Sequence, residues 1–370
     1  GTIGVAVCDT PAGEYKYLGR VRYPDGKILG RNGEKDAHQF DPGVFKDDDG
    51  KIYLYTGFAP KSPNIFTRFK PVNTHGAFGA ELESDMLTIK LPAARIAKAQ
   101  HFSAGSGYEG HEFFEASSMR KFNGKYYFIY SSVLGHELCY AIGDSPLGEF
   151  KYGGTLVSIG DVGISDKPTN YLGNTHGSVE KIGDKYYVFY HRQTNRHCHS
   201  RQACAEEIKL NADGTFSQTE VTSCGLNGGP LIGKGEYEAR IACNLMSKKG
   251  VKFYTCKTPA GIHPYFTQSG GDRECDGDQY IANFSDGATA GFKYFKFENA
   301  KIISVKIRGK AKGEMLVFGK EKKEVAKIKI DIDGGTKEFS SLLNIADGVS
   351  PLYFTFRGKG KFDFLSFELK

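Results

Sequence analysis

Apolar and polar positions along this chain fall into short runs broken by glycines and polar turns. Three runs share one form: Gly50-Lys51-Ile52-Tyr53-Leu54-Tyr55, Gly124-Lys125-Tyr126-Tyr127-Phe128-Ile129-Tyr130 and Asp184-Lys185-Tyr186-Tyr187-Val188-Phe189-Tyr190. Each sets a turn and a lysine ahead of an apolar-aromatic stretch. Each also follows another short run, at 40–45, 114–120 and 175–181. Strand, polar turn, strand is the pattern of a β-hairpin. An outer strand with the turn Asp-x-Pro-x-Gly-Glu completes the unit, and that turn occurs twice, at 9–14 and 144–149. Sheets of about four strands recurring every 60–75 residues or so fit the blades of a β-propeller. The copy at Asp144 follows a complete hairpin, whereas the copy at Asp9 has only Gly1–Cys8 before it. The expectation is a propeller that starts at the tail of a blade, and so is N-terminally incomplete.

After Pro259 the pattern changes. Residues 265–370 hold neither motif, and alternate at 302–307, 315–318, 326–332 and 352–356 between glycine-rich turns. Short alternating strands over such a length predict a β-sandwich. The expected fold is all-β, with a propeller over 1–258 and a sandwich over 265–370. Asp331-Ile332-Asp333-Gly334-Gly335 reads as a hairpin turn, and the outward lysines as a solvated face that blocks edge pairing.

Composition adds limits. The 370 residues include 47 Gly, 27 Phe and 21 Tyr but no Trp, which favours short strands and tight turns. A net charge of +6 spread over this length argues against a nucleic-acid partner. No run reaches the roughly 18 apolar residues of a membrane span, so no membrane partner is expected. The eight cysteines read as a reduced, intracellular thiol set, which tilts the location toward the cytoplasm. The missing N-terminal pattern leaves any export signal unread. His197-Cys198-His199 with Cys204 lacks the second knuckle of a structural zinc site and reads as reduced cysteines in a loop. Asp272, Glu274, Asp276 and Asp278 form either a calcium-binding cluster or, more simply, a solvated acidic turn.

In a propeller the innermost strand of every blade lines the central channel, so equivalent positions converge there. Ten residues before each repeat lysine stand Asp41, Glu115 and Thr175, with His176 next. Both acids sit among apolar neighbours, Phe40-Asp41-Pro42 and Phe113-Phe114-Glu115-Ala116. Poor solvation favours a protonated carboxyl, the state a general acid needs. The alternative, an acid bonding backbone amides at a strand mouth, is weakened by the matched phase on two blades.

These residues resemble glycoside hydrolase family 43, the five-bladed propeller arabinofuranosidases and xylosidases. Phe40-Asp41-Pro42-Gly43-Val44-Phe45 is similar to the family's Asp-Pro strand. Glu115-Ala116-Ser117-Ser118-Met119-Arg120-Lys121 is similar to its general-acid strand, and Asn174-Thr175-His176-Gly177-Ser178 to its last inner-strand motif. Tyr265-Phe266-Thr267-Gln268, Asp278-Gln279-Tyr280-Ile281-Ala282-Asn283 and Gly291-Phe292-Lys293-Tyr294-Phe295 resemble family 6 carbohydrate-binding modules. The resemblance implies an inverting hydrolase that removes arabinofuranosyl or xylosyl groups from plant cell-wall polysaccharide. It makes Glu115 the general acid, and Asp41 the carboxylate that orients the sugar and modulates the acid's pKa. Arg201, with Arg192 as its rival, reaches sugar hydroxyls, and Glu112 is an acid near the site. His176 resembles a histidine that in some members helps hold a calcium ion through water; a purely structural hydrogen bond is its other reading. No cofactor is required. The family's general base is an aspartate on the first blade, and its place falls before Gly1. A non-catalytic carbohydrate-binding scaffold is therefore the second functional reading.

Overall fold

The computed structural model describes the chain apart from residues 32–35, 37, 62–75, 255–257 and 271–277. The described residues are almost entirely strand and turn, and no helix among them is long and apolar enough to cross a membrane. Two compact units emerge. The first comprises 1–156, 175–190 and 208–218, and the second 157–174, 191–207 and 219–370.

The first unit is a series of small antiparallel sheets. Strands β1 (Gly4–Val7) and β2 (Lys16–Arg20) form a pair. Next come β3 (Gly43–Lys46), β4 (Ile52–Thr56), β5 (Phe78–Glu81) and β6 (Ala94–Arg95), hydrogen-bonded in that order. A second four-stranded sheet follows, of β7 (Phe113–Phe122), β8 (Lys125–Ser132), β9 (Glu137–Gly143) and β10 (Phe150–Ser158). The third repeat gives the hairpin of β11 (Ser178–Ile182) and β12 (Lys185–Gln193). All three lysine-led runs thus form the second strand of a hairpin. Both Asp-x-Pro-x-Gly-Glu turns join a last pair of strands, β1 to β2 and β9 to β10.

The aromatic side of each hairpin is what stacks the sheets. Tyr53 and Tyr55 of β4 meet Phe128 and Tyr130 of β8 in one cluster with Phe113 and Met119. Leu54 points the other way and joins Ile3, Val21, Leu29 and Phe78. This alternation along β4 buries both faces of its sheet. A fully buried aromatic of this kind contributes about 1.5–3 kcal/mol. Tyr55 also donates its hydroxyl to the Pro146 carbonyl at 2.9 Å, pinning the Asp144 turn.

The second unit is one extensive sheet that doubles back on itself. Strand β13 (Arg201–Ile208) is not part of it; the strands of this sheet are β14 (Leu231–Ile232), β15 (Gly235–Glu238), β16 (Asn244–Met246), β17 (Tyr265–Gln268), β18 (Gln279–Ser285), β19 (Thr289–Phe297), β20 (Ile302–Phe318), β21 (Glu324–Ile332), β22 (Thr336–Leu342) and β23 (Gly348–Leu369). The first half of β23 pairs with β19 and its second half with β18 and β15. Phe354 of the first half lies 5.0 Å from Phe367 of the second, ring centre to ring centre. One strand can bring its two halves face to face only by bending, and the bend closes two layers over a phenylalanine-rich core.

Two expectations change here. The turn at 333–335 does not make a hairpin: β22 pairs with Ile302–Arg308 of β20 and β21 with Ala311–Phe318 of the same strand. The segment is a bulge in one long antiparallel companion of β20, because Asp-Gly-Gly chemistry serves a bulge as readily as a tight turn. The C-terminal sheet also begins earlier than a cut at 258–265 implies, since β14, β15 and β16 pair into it through β19 and β23.

A buried charge group fastens this unit. Asp161 is fully buried, accepts from the Val221 amide at 2.7 Å and lies 3.2 Å from Lys293 Nζ, which also meets Glu220 at 2.7 Å. Lys293→Met will leave the Asp161 carboxylate without its cation, at a cost of about 3–5 kcal/mol. Urea unfolding checks this, and the added change Asp161→Asn should restore part of the loss.

Candidate functional site

Asp41, Glu115 and His176 each stand at or just before the start of a hairpin's first strand, within the first unit. The strands approach closely: a Cβ on Gly43 would lie 2.3 Å from the Ser117 carbonyl, so only glycine fits beside β7. Ser118 and Ser178 share a hydrogen bond of 2.8 Å, and Arg120 reaches Glu180 at 3.3 Å, which sets β11 against β7. Lys121 of β7 reaches back to Asp47 beside β3, at 2.6 Å, and the Tyr126 hydroxyl donates to the same carboxylate at 2.6 Å. Burial pushes the Asp47 carboxyl up, but those hydrogen bonds hold it below the usual range.

Glu115 stands in a distorted stretch of β7, with register shifts on both sides of it. Ala116 next to it has φ of 65° and Asp41 has φ of 44°. Both are in the left-handed region, sparsely populated for residues with a Cβ, and Asp41 adopts it directly before Pro42. Such strain collects where a side chain must be aimed. His176 Nε2 lies 2.8 Å from a Glu115 oxygen and its Nδ1 3.7 Å from Asp41. One ligand atom from each of the three residues lies within 4.8 Å of the other two. Glu115 is buried, while Asp41 and His176 are partly open to solvent.

Position counting selected Thr175, but His176 is the residue that meets the carboxylates. Thr175 is fully buried, donating its amide to the Gly135 carbonyl at 3.0 Å and accepting from Ser131. Glu112 is buried and accepts from the Ser103 hydroxyl at 2.9 Å. Arg192 is committed within the second unit: it donates to Gln202 at 2.9 Å and to the Ala242 and Arg240 carbonyls, and stacks 3.7 Å over Phe266. Arg201, in the same unit, is exposed, with its Nε 3.4 Å from the Cys198 carbonyl.

Cys198 forms a disulfide, which corrects the reading of a wholly reduced thiol set and removes that sulfur as a metal ligand. Cys8, Cys139, Cys224 and Cys243 are free thiols. Of the acidic cluster, Asp272, Glu274 and Asp276 lie outside the described residues, as do Cys256 and Cys275. Calcium takes six to eight oxygen ligands. The Asp41–Glu115–His176 group offers two carboxylates, with the imidazole already bonded to one of them. It does not fit a directly held calcium ion.

Sequence spacing missed a second group. Glu137 of β9 lies 2.7 Å from His111 Nδ1, accepts from Ser132 and Cys139, and receives the Thr155 hydroxyl at 3.2 Å. His111 stacks on Tyr152 with ring centres 5.1 Å apart. The hydrogen bond to Glu137 raises His111 above its ordinary 6.5. Burial pushes Glu137 up, but hydrogen bonds from His111 and Ser132 bring it below 4.5. The histidine's contribution is complete below 6.5 and fades as pH rises through its raised value. The glutamate's is complete above 4.5 and fades as pH falls through its lowered value. The pair therefore stabilises most between those limits. His111→Phe keeps the stacking ring, and its deficit in melting temperature should be largest in that window and shrink as pH rises through the raised value of the histidine. A deficit that stays flat across the range would show that the pair does not titrate.

The profile of Glycosyl hydrolases family 43 matches residues 1–216. A xylosidase/arabinosidase of Thermoclostridium stercorarium is 46% identical over 379 residues, covering 99% of this chain and 77% of its own. A beta-xylosidase of Xylanibacter ruminicola is 30% identical, covering 57% of this chain and 64% of its own. Among solved structures, a glycoside hydrolase family 43 arabinoxylan arabinofuranohydrolase from Bacillus subtilis, in complex with cellotetraose, aligns over 100% of this chain and 74% of its own, at 23% identity and a TM-score of 0.48.

Proposed function

The chain belongs to glycosyl hydrolases family 43, and from that membership we propose an inverting glycosidase that removes arabinofuranosyl or xylosyl groups from plant hemicellulose. The observation that carries this reading is the meeting of Glu115, Asp41 and His176 at the mouths of three successive hairpins. The repeated sheets of the first unit support blades of a five-bladed propeller, with these residues at its channel.

In this reading Glu115 protonates the glycosidic oxygen as the bond to the anomeric carbon breaks, and water adds from the opposite face. The hydrogen bond to His176 and the register shifts on both sides of Glu115 fix where its carboxyl is aimed. Asp41 orients the sugar. It is too close to act as the base: an inverting pair needs about 6.5–9.5 Å to seat a water, while one oxygen of each carboxylate here lies within 4.8 Å of the other. The base is then a carboxylate outside this group. His176 holds Glu115 in place through Nε2, with its Nδ1 3.7 Å from Asp41, and no cofactor takes part in these steps. Arg201, with its exposed guanidinium, is a candidate for sugar hydroxyls, whereas Glu112, read as a sugar-binding acid, is buried against the Ser103 hydroxyl.

Nitrophenyl arabinofuranosides and xylosides, assayed in parallel, test the proposal. Release of nitrophenol from either supports it. Sugar binding without turnover would instead favour the non-catalytic scaffold.

A further inference from the structure

The bend in the second unit carries charge that neither its core nor the candidate site uses. Across the pairing of β20 and β23, Lys310 lies directly opposite Lys361, and Lys312 opposite Lys359. Glu314 faces Arg357 in the same ladder, and β21 sets Lys329 beside Glu314 on its other side. All of these side chains are exposed. Like charges directly opposite each other on neighbouring strands are destabilising. Protection of an open edge does not account for them, because β20 is flanked by β23 on one side and by β21 and β22 on the other.

The two-residue period explains how the patch is built. Gly309, Ala311 and Gly313 of β20, and Gly358 and Gly360 of β23, alternate with the basic residues. Gly360 has φ of 84°, and a Cβ there would lie 2.2 Å from the Lys310 carbonyl. Small residues thus take the crowded side of the bend while the lysines project to solvent. Two acids temper the face: Asp331 pairs with Lys312 at 2.9 Å and Glu314 with Lys327 at 3.8 Å. Lys310, Lys329, Arg357, Lys359 and Lys361 have no carboxylate partner among the described residues. Their rows are about 5 Å apart across strands and about 7 Å along them, a lattice of point charges.

We propose that this face binds a glycan bearing carboxylates, a polysaccharide with uronic acid units, and so holds the chain on acidic cell-wall polymer. The polysaccharide setting rests on the functional reading above; the charge pattern stands without it. Single-stranded nucleic acid is the poorer match, since its binding relies on aromatic rings between the cations and this patch has none.

Affinity electrophoresis and calorimetry of the full chain against polygalacturonate, neutral arabinoxylan and duplex DNA test the proposal. Polygalacturonate should retard the chain at low salt and release it at high salt. Lys310→Gln/Lys359→Gln/Lys361→Gln should weaken that binding about tenfold or more. The variant should also melt higher than the parent, because opposed like charges are removed, and hydrolyse neutral aryl glycosides as the parent does. No retardation by polygalacturonate, unchanged affinity in the variant, or tighter binding of DNA would overturn the proposal. A chain that binds polygalacturonate through these lysines yet hydrolyses no glycoside would sink the activity and leave the binding face standing.

Discussion

In a version of the chain that carries the base, Glu115→Gln will abolish hydrolysis of arabinoxylan oligosaccharides while sparing more of the activity on nitrophenyl glycosides. A sugar alcohol leaves poorly unless its oxygen is protonated as the bond breaks; nitrophenolate needs little such help. General acid catalysis is worth about 10²–10⁴-fold, and that is the expected fall in kcat/KM for oligosaccharides. Glutamine keeps the shape of the side chain and an oxygen for His176, which lies 2.8 Å from the Glu115 carboxylate. The melting temperature should therefore change little, separating lost chemistry from lost fold. Near-parental turnover on oligosaccharides would remove Glu115 from the acid's role.

Asp41→Asn should slow both substrate types alike, by about 10²-fold, because misplacing a bound sugar costs the same whatever leaves. Asp41 holds a left-handed backbone with φ of 44° ahead of Pro42. Its carboxylate lies 3.7 Å from His176. The amide keeps the size but loses the charge that the imidazole faces. Comparing kcat/KM for aryl glycosides and oligosaccharides checks the prediction. A loss confined to oligosaccharides would instead give Asp41 the proton-donating role.

The hairpins were legible because a lysine and an aromatic strand after a polar turn state both period and register locally. Asp41 and Glu115 could be picked by counting back from those lysines, since the first two hairpins keep that spacing. The third count landed on Thr175, one residue short of His176. The bulges around Glu115 show why: they add length to β7 that β11, paired with β12 without a register shift, does not have. Asp333-Gly334-Gly335 was misread for a different reason. Its local chemistry allows a turn or a bulge, and the choice depends on the long partner β20. The His111–Glu137 pair had no sequence signal, because its members come from a loop and from β9, joined only by the fold. Likewise, strands before residue 258 pair with the C-terminal sheet through contacts that no local pattern announces.

The anomeric configuration of the first-formed sugar, followed by proton NMR during hydrolysis, tests the central claim most directly. With Glu115 as the acid, Asp41 placing the sugar and the base a carboxylate outside this group, the expected first product has inverted configuration and mutarotates only afterwards. A first product with retained configuration would contradict this, because retention calls for a carboxylate about 5–5.5 Å from the acid as nucleophile, and Asp41 would then be the residue that attacks.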